Sequence, residues 1–349
     1  MTSNDVPIIR VSDPANLLSL VPYLLGFKPR RSLMVLGLRD DRVLSVSRLD
    51  LPGEPAHHDA IRAAMANLTG VLRRHRAGTT ILIGYGPAAP VDVAVEIATA
   101  VIGAAGMIVQ EALRVEGSSY YSLTCSDPVC CPPGGTPFDP DHTVAAVAAT
   151  YAGMVAADDR DDVMARLAPI DGAARDAFAD ATAAAVHRLL ERIEATAGRL
   201  GRNPDTSPAT PLGRELAASG RAVLADAVGC YRQGTALPDE PAAQLSVLLA
   251  LPSVRDGAVG SVTGEAWQLD MWSDLVRRAE PDFVAEPANL LTIAALLAGN
   301  GVLAASAVAR ALGADPDNTL SLLLRQVITV GISPDEVATV VAAAAEATR

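Results

Sequence analysis

Residues 79–115 have the sequence TTILIGYGPAAPVDVAVEIATAVIGAAGMIVQEALRV, and this stretch decides the fold. Residues 79–85 form a short β-prone run, residues 91–105 carry apolar side chains at helical spacing, and residues 107–115 are again β-prone. A helix between two strands predicts a right-handed crossover, which places both strands in one sheet as a parallel pair. The stretch therefore predicts an α/β fold.

The sequence on either side extends the same sheet. Two β-prone runs, residues 32–38 and 43–51, flank the polar turn Arg39-Asp-Asp-Arg42, which predicts a β-hairpin. Gly117-Ser-Ser119 precedes one more short run and predicts a last hairpin. Residues 125–140 are rich in Pro and Gly, so we expect no regular structure there. Together these runs predict a mixed sheet of about five strands.

Two further helices complete this N-terminal module. Ser12-Asp13-Pro14 is a typical helix start, and apolar residues at helical spacing follow it. Residues 56–75 also have a helical pattern, and we interpret His57-His58-Asp59 as its capping residues. The module, with a cysteine-containing loop at residues 125–140, spans residues 1–155.

The second half of the chain, residues 156–349, is rich in Ala and predicts an all-α region. Helical patterns from the end of the module onward occupy residues 141–156, 161–167, 172–197, 213–231, 241–251, 264–279, 287–298, 302–312, 316–330 and 333–347. Residues 201–211 are rich in Gly, Pro, Ser, Thr, Asn and Asp, which predicts a flexible linker. Glycines interrupt the helical pattern between residues 253 and 270.

The composition favours two domains in the cytoplasm. A chain of 349 residues exceeds the usual size of a single domain. Residues 290–309 are uncharged and long enough to span a membrane, but Gly299-Asn-Gly301 predicts a turn and hence a buried helical hairpin. Residues 1–11 lack the pattern of an export signal, so we expect a cytoplasmic protein with reduced thiols.

The charge distribution argues against nucleic acid as a partner. Residues 1–77 hold 11 basic and 7 acidic side chains, whereas the totals for the chain are 28 and 40, which leaves 17 and 33 for the remainder. A negative field over most of the chain repels nucleic acids and anionic membranes. We therefore expect a protein partner or a homo-oligomer.

Several motifs resemble an actinobacterial protein family of unknown function. They are Asp13-Pro-Ala-Asn-Leu-Leu18, Val21-Pro-Tyr-Leu-Leu-Gly-Phe27 with Pro29, Ser32-Leu-Met-Val-Leu-Gly-Leu38, Cys125-Ser-Asp-Pro-Val-Cys-Cys-Pro132, Trp272 and Ala311-Leu-Gly-Ala-Asp-Pro316. The resemblance covers most of the chain and implies a cytoplasmic protein with an N-terminal α/β module and a helical C-terminal region. It implies no activity. The glycine-interrupted residues 253–270 depart from the family pattern.

The C-terminal region is also similar to one helical pair of the tetratricopeptide family. The matching positions are Leu291, Ala304, Ala311 and Pro316. A stack of such repeats needs about three copies for independent stability, and only one copy matches here. We therefore expect a repeat-like helical hairpin, which can supply a surface for a partner.

Cys125-Ser-Asp-Pro-Val-Cys-Cys-Pro132 is the best candidate for chemistry. Three thiols in a Pro-constrained loop can converge on a soft cation such as zinc, with His142 or Asp127 as a fourth ligand. The spacing is unusual for zinc, because four residues separate Cys125 from Cys130 and Cys131 follows directly. In an extended backbone, moreover, we expect Cys130 and Cys131 to point to opposite sides. A reversible disulfide between the first two thiols and purely structural thiols are the alternatives. No basic residue lies near in sequence to lower a thiol pKa.

Gly84-Tyr-Gly86-Pro87 occupies the place of a dinucleotide-binding turn, between a predicted strand and a predicted helix. The third glycine of that motif is missing, and Pro87 and Pro90 remove backbone amide donors. An ordinary strand-to-helix turn and a small anionic ligand at residues 84–91 remain the two interpretations.

The chain contains no nucleophile elbow, His-Glu-x-x-His pair or Walker loop. We therefore expect a non-enzymatic ligand- or protein-binding scaffold. One alternative is a metal- or thiol-dependent enzyme or redox protein that uses Cys125, Cys130 and Cys131. The other is a nucleotide-binding module at residues 84–91.

Overall fold

The computed structural model describes residues 11, 13–51, 58–200, 205–207 and 209–347. The chain forms two compact units, Met1–Asp162 and Val163–Arg349. Ser12, His57 and much of the predicted linker at 201–211 lie outside the described residues.

The first unit contains the predicted mixed sheet. Its strands are β1 (Ser32–Arg39), β2 (Arg42–Asp50), β3 (Thr79–Tyr85), β4 (Ile108–Glu116), β5 (Ser119–Ser122) and β6 (Thr136–Pro137). The order is β2-β1-β3-β4-β5-β6, with β3 and β4 parallel and the other neighbours antiparallel. Both predicted hairpins and the parallel crossover are confirmed.

The described residues form six strands where the sequence predicted about five. The additional strand, β6, lies in the loop that was expected to lack regular structure, and that expectation was wrong. Tyr120 pairs with Thr136, and the Phe138 amide donates to the Ser118 carbonyl at 2.9 Å. Pro137 has no amide hydrogen and therefore suits this edge position.

Strand β1 is buried on both of its faces. The helices of this unit are α1 (Pro14–Leu25), α2 (His58–Arg74), α3 (Ala88–Ala104), α4 (Val144–Tyr151) and α5 (Arg160–Ala165), the last of which extends across the boundary. Leu33, Val35 and Leu82 pack with the apolar sides of α2 and α3. Met34 and Leu36 alternate with them and are also fully buried. The pleat explains this, because successive side chains of a strand point to opposite faces.

The second unit is helical throughout its described elements, as predicted. Its helices are α6 (Gly172–Leu200), α7 (Pro211–Arg232), α8 (Asp239–Leu249), α9 (Pro252–Val259), α10 (Ala266–Arg278), α11 (Ala285–Leu297), α12 (Gly301–Ala314), α13 (Thr319–Val330) and α14 (Pro334–Ala347), with a 3-10 turn at Pro281–Phe283. The hairpin predicted at 290–309 is formed by α11 and α12. Among the described residues, no helix combines the length and apolar character needed to cross a membrane.

Helix α9 was not predicted, because glycines weaken the helical pattern between residues 253 and 270. Gly260 and Gly264 instead mark the break between α9 and α10. A Cβ on Gly260 would lie 2.7 Å from the Ala345 Cα, and one on Gly264 would lie 2.7 Å from the Ala298 nitrogen. These glycines therefore allow close backbone approach at the break.

Candidate metal centre

The cysteine loop starts from a hydrogen-bonded platform on β4 and β5. The Glu111 carboxylate accepts hydrogen bonds from the hydroxyls of Ser122, at 3.0 Å, and Thr124. The Ser122 oxygen in turn accepts from the Cys125 amide at 3.1 Å. These contacts fix the backbone direction at the point where the first cysteine leaves the sheet.

Asp127 curls the loop so that the later cysteines turn back toward Cys125. Its carboxylate accepts from the Val129 amide at 2.9 Å, and its backbone carbonyl accepts from the Cys131 amide at 2.7 Å. An Asp side chain that bonds the amide two residues on is a common turn device. The backbone at Cys130 and Cys131 is consequently a turn and not an extended segment.

The three sulfur atoms converge. The Cys125 Sγ lies 3.6 Å from the Cys130 Sγ, which lies 3.4 Å from the Cys131 Sγ, and all three are within 4.8 Å of one another. The expectation that Cys130 and Cys131 diverge is therefore wrong, because it assumed the extended backbone that the Asp127 turn replaces.

An aromatic side chain holds the far end of the loop. Gly135 has φ +81°, in the left-handed region, and a Cβ on it would lie 2.7 Å from the Tyr121 Cζ. The Arg114 guanidinium lies 4.2 Å from the centre of the Tyr121 ring and donates to both carboxylate oxygens of Asp92 at 2.9 Å. Both ends of the loop are thus attached to the sheet.

The pKa values of Cys125 and Cys131 are shifted in opposite directions. Hydrogen bonds from Cys131, from the Asp127 amide and from Cys130 lower the pKa of Cys125. The hydrogen bonds that Cys131 makes with Cys125 and Cys130 raise its own pKa to about 12. One thiolate therefore forms first and is stabilised by its two neighbours, which is how a thiol cluster begins to bind a cation.

The sulfur spacing suits a thiophilic metal ion. Tetrahedral zinc with Zn–S bonds of about 2.3 Å separates its sulfur ligands by roughly 3.8 Å. The two shorter sulfur distances of 3.4 and 3.6 Å are close to that value. Bond formation with zinc therefore requires only small side-chain movements.

A model of the family described as Domain of unknown function (DUF4192) matches residues 14–335. The chain belongs to this family. The match agrees with the resemblance to a family of unknown function, while the actinobacterial origin stays a prediction. No curated protein and no solved structure matches the chain.

In this DUF4192 chain, the structure places His142 outside the sulfur cluster. The His142 Nδ1 lies 2.8 Å from an Asp139 carboxylate oxygen, and the side chain is 81% exposed. Among the described residues, no His, Asp or Glu joins the three cysteines within 4.8 Å. Within the described part of the chain, the candidate site therefore offers three protein ligands, all of them cysteine sulfurs.

The other predicted site of this DUF4192 chain, at Gly84 and Gly86, lies where β3 leads into α3. A Cβ on Gly84 would lie 2.1 Å from a Val91 methyl carbon, so the glycine allows α3 to pack closely on the strand. Gly86 has φ +141° and provides the sharp turn before the helix. Packing and turn geometry thus account for both glycines, and a nucleotide at this turn stays a prediction.

Sequence reasoning missed Arg114 and Tyr121, which line a pocket of about 190 Å³ together with Cys131. The hairpin of β4 and β5, which the sequence predicted, could have indicated this contact, because its antiparallel register places Arg114 opposite Tyr121. The neutralising partner Asp92 comes from α3 and was not visible in the local sequence. Strand register therefore places a basic side chain in the same pocket as Cys131, where Asp92 pairs with it.

Proposed function

We propose that the protein binds a thiophilic metal ion, with zinc as the leading candidate, through Cys125, Cys130 and Cys131. The observation that carries this proposal is the convergence of the three sulfur atoms within 4.8 Å of one another. The proposal replaces the scaffold function as the leading hypothesis for the N-terminal unit.

The exposure of the cysteines supports a ligand-binding role over a packing role. Free cysteines kept for packing are usually among the most buried side chains. Here Cys130 is exposed, and Cys125 and Cys131 are only partly buried. The sulfurs gain little from burial, whereas they are well placed to contact a cation from solvent.

The ligand count predicts an open coordination position. Structural zinc sites have four protein ligands, whereas sites with three protein ligands leave the fourth position to water or to another molecule. The cluster supplies three sulfurs, and His142 lies outside it. We therefore propose a site in which zinc keeps an exchangeable fourth ligand.

Zinc stoichiometry tests the proposal. The reduced protein is purified with zinc, dialysed against a weak chelator and analysed for metal, in parallel with Cys125→Ser, Cys130→Ser and Cys131→Ser. The matched control is Cys230→Ser, since Cys230 lies on α7 and outside the cluster. We expect about one zinc per chain for wild type and control and a loss of most of it in the three loop variants. Equal zinc content in all five proteins would contradict the proposal.

Protein binding is a second candidate function, favoured by one face of α4. Val144, Val147 and Tyr151 have the spacing of neighbours on a helix surface and are 80%, 63% and 95% exposed. We propose that this face mediates self-association, which buries these apolar side chains.

Light scattering tests the self-association of the α4 face. A molar mass above that of the monomer should fall for the variant with Val147→Asp and Tyr151→Asp. It should not fall for Val340→Asp, an exposed valine on α14. A wild-type chain that is monomeric at every concentration would rule the self-association out.

A further inference from the structure

The three sulfurs of the proposed metal site differ in position and in exposure to solvent. Cys130 is the central member, with its Sγ 3.6 Å from that of Cys125 and 3.4 Å from that of Cys131. It is also the exposed member of the three. An oxidant arriving from solvent therefore reaches the Cys130 sulfur first, and a second sulfur lies within 3.6 Å of it.

We propose that a hydroperoxide oxidises this loop to a Cys125–Cys130 disulfide, and that this oxidation releases the metal ion. The inference rests on the proposed function, since it describes how that metal site is regulated. The oxidised and metal-bound states exclude each other, because the disulfide removes two of the three sulfur ligands.

Backbone geometry selects Cys125 as the partner of Cys130. Disulfide-bonded cysteines usually have Cα atoms about 4.4–6.8 Å apart. Consecutive Cα atoms joined by a trans peptide are only about 3.8 Å apart, which disfavours a bond between Cys130 and Cys131. Cys125 is separated from Cys130 by a turn that already brings the sulfurs to 3.6 Å. Once Cys130 pairs with Cys125, Cys131 is left as the free thiol.

The anchored ends of the loop make the change local. The Cys125 amide is bonded to Ser122, and Gly135 is packed against Tyr121 at the other end. Closing the disulfide shortens one sulfur distance from 3.6 Å to about 2 Å. Side-chain rotation and small adjustments of the turn between Cys125 and Cys130 suffice for this movement.

The chemistry is a two-electron oxidation. The sulfur of one cysteine thiolate attacks the peroxide, so that an S–O bond forms, the O–O bond breaks and hydroxide leaves. The second cysteine sulfur then attacks the sulfenic sulfur, which forms the S–S bond and breaks the S–O bond. With hydrogen peroxide, two thiols and one peroxide give one disulfide and two waters. A dithiol reductant restores the thiols and with them the metal ligands.

The test treats zinc-loaded protein with stoichiometric hydrogen peroxide. Zinc content is measured before the treatment, released zinc is followed with a chromogenic chelator, and the disulfide is mapped by peptide mass spectrometry. We expect zinc release to coincide with a Cys125–Cys130 crosslink in wild type and in Cys230→Ser. Because Cys131→Ser weakens the metal site, its disulfide is examined in metal-free protein, where the same crosslink should form.

The outcomes separate this inference from the proposed function. A purified protein that never holds zinc overturns both. A loaded protein that keeps its zinc under peroxide, or one whose disulfide involves Cys131 or a second chain, overturns the redox inference and leaves zinc binding intact. Metal-free Cys125→Ser and Cys130→Ser should accumulate a sulfenic acid that a dimedone probe traps, whereas a disulfide between the two remaining loop cysteines, formed in either variant as readily as the wild-type crosslink, would again overturn the inference.

Discussion

The cysteine loop of the first unit is exposed, whereas the second unit contains a polar cluster around the buried side chain of Arg278. We call this second group the Arg278 cluster. Arg278 is buried and donates to the Leu237 carbonyl at 2.8 Å, to Asp239 at 3.2 Å, to the Tyr231 hydroxyl at 3.1 Å and to Asp274. The thiols of the loop, in contrast, mainly contact one another. Charged and polar groups that hydrogen-bond to one another around a buried Arg serve the fold, whereas an exposed cluster of like donors is suited to an external ligand.

The pKa values follow the same division. Burial and the hydrogen bond to Asp274 raise the pKa of Tyr231, so this hydroxyl stays protonated and serves as a structural donor. In the loop, the pKa of Cys125 is lowered and that of Cys131 is raised because the thiols interact with each other. The Tyr231 hydroxyl is thus held in its neutral form, whereas ionisation of the Cys125 thiol is favoured.

The largest effect on stability should come from Arg278→Met. The substitution leaves Asp274 and the Leu237 carbonyl without their buried donor, and breaking such a cluster costs about 3–5 kcal/mol of the free energy of unfolding. Both tryptophans lie in α10 of this unit, so their fluorescence during chemical denaturation reports the loss. Arg277→Met, at the exposed neighbouring position, is the matched control and should cost little. Equal stability of the two variants would remove the structural role of Arg278.

A smaller loss is expected for Gly84→Ala. The added Cβ would lie 2.1 Å from a Val91 methyl carbon, and overpacking of this kind costs about 1–3 kcal/mol. Hydrogen exchange of the β3 and β4 amides measures the effect in the first unit, and Val91→Ala in the same chain should restore part of it. Gly103→Ala, with no atom within 4 Å of the new Cβ, should be neutral or stabilising. A harmless Gly84→Ala would show that packing does not require this glycine and would reopen the ligand interpretation.

The pH dependence of alkylation sharpens the description of the loop. In reduced, metal-free protein, initial rates with iodoacetamide should rise at lower pH for Cys125 than for Cys131, because the thiolate is the reactive form. The lowered pKa of Cys125 shifts its increase to lower pH, and the pKa of about 12 keeps Cys131 protonated through moderately alkaline pH. Peptide mass spectrometry distinguishes the two sites. A common pH profile for both would mean that the thiols do not interact in solution.

The smallest effect should come from replacing all three loop cysteines by serine in metal-free protein. Substitutions at exposed positions usually change the free energy of unfolding by no more than about 0.5 kcal/mol, and hydrogen exchange of β4 and β5 measures it. The same variant should lose the stabilisation that zinc gives to wild type. A loss of several kcal/mol without metal would instead identify the cysteines as part of the core.

Regular elements of the fold were predictable because their signals are local. The polar turn between β1 and β2 contains Asp40 and Asp41, which adopt φ of 51° and 58°, the left-handed conformation of a two-residue hairpin turn. Short-range periodicity likewise identified β3, α3 and β4. Element boundaries differed by a few residues, since capping side chains and packing decide where a helix begins.

The candidate site was only partly predictable, because its geometry depends on contacts between distant segments. The sequence identified the three cysteines as a cluster, but an extended backbone at Cys130 and Cys131 was the wrong assumption. The Asp127 turn and the pairing of Thr136 with Tyr120 reverse the chain direction there. Arg114 reached the neighbourhood of the loop through strand register and not through sequence proximity.

X-ray absorption at the zinc edge of the loaded, reduced protein is the most direct test of the central claim. Three sulfur scatterers at about 2.3 Å and one lighter scatterer at about 2.0 Å are the expected coordination. This spectrum should be unchanged in Cys230→Ser and should lose sulfur in Cys130→Ser. A shell of nitrogen and oxygen alone, or one with fewer than three sulfurs in wild type, would contradict zinc binding by Cys125, Cys130 and Cys131.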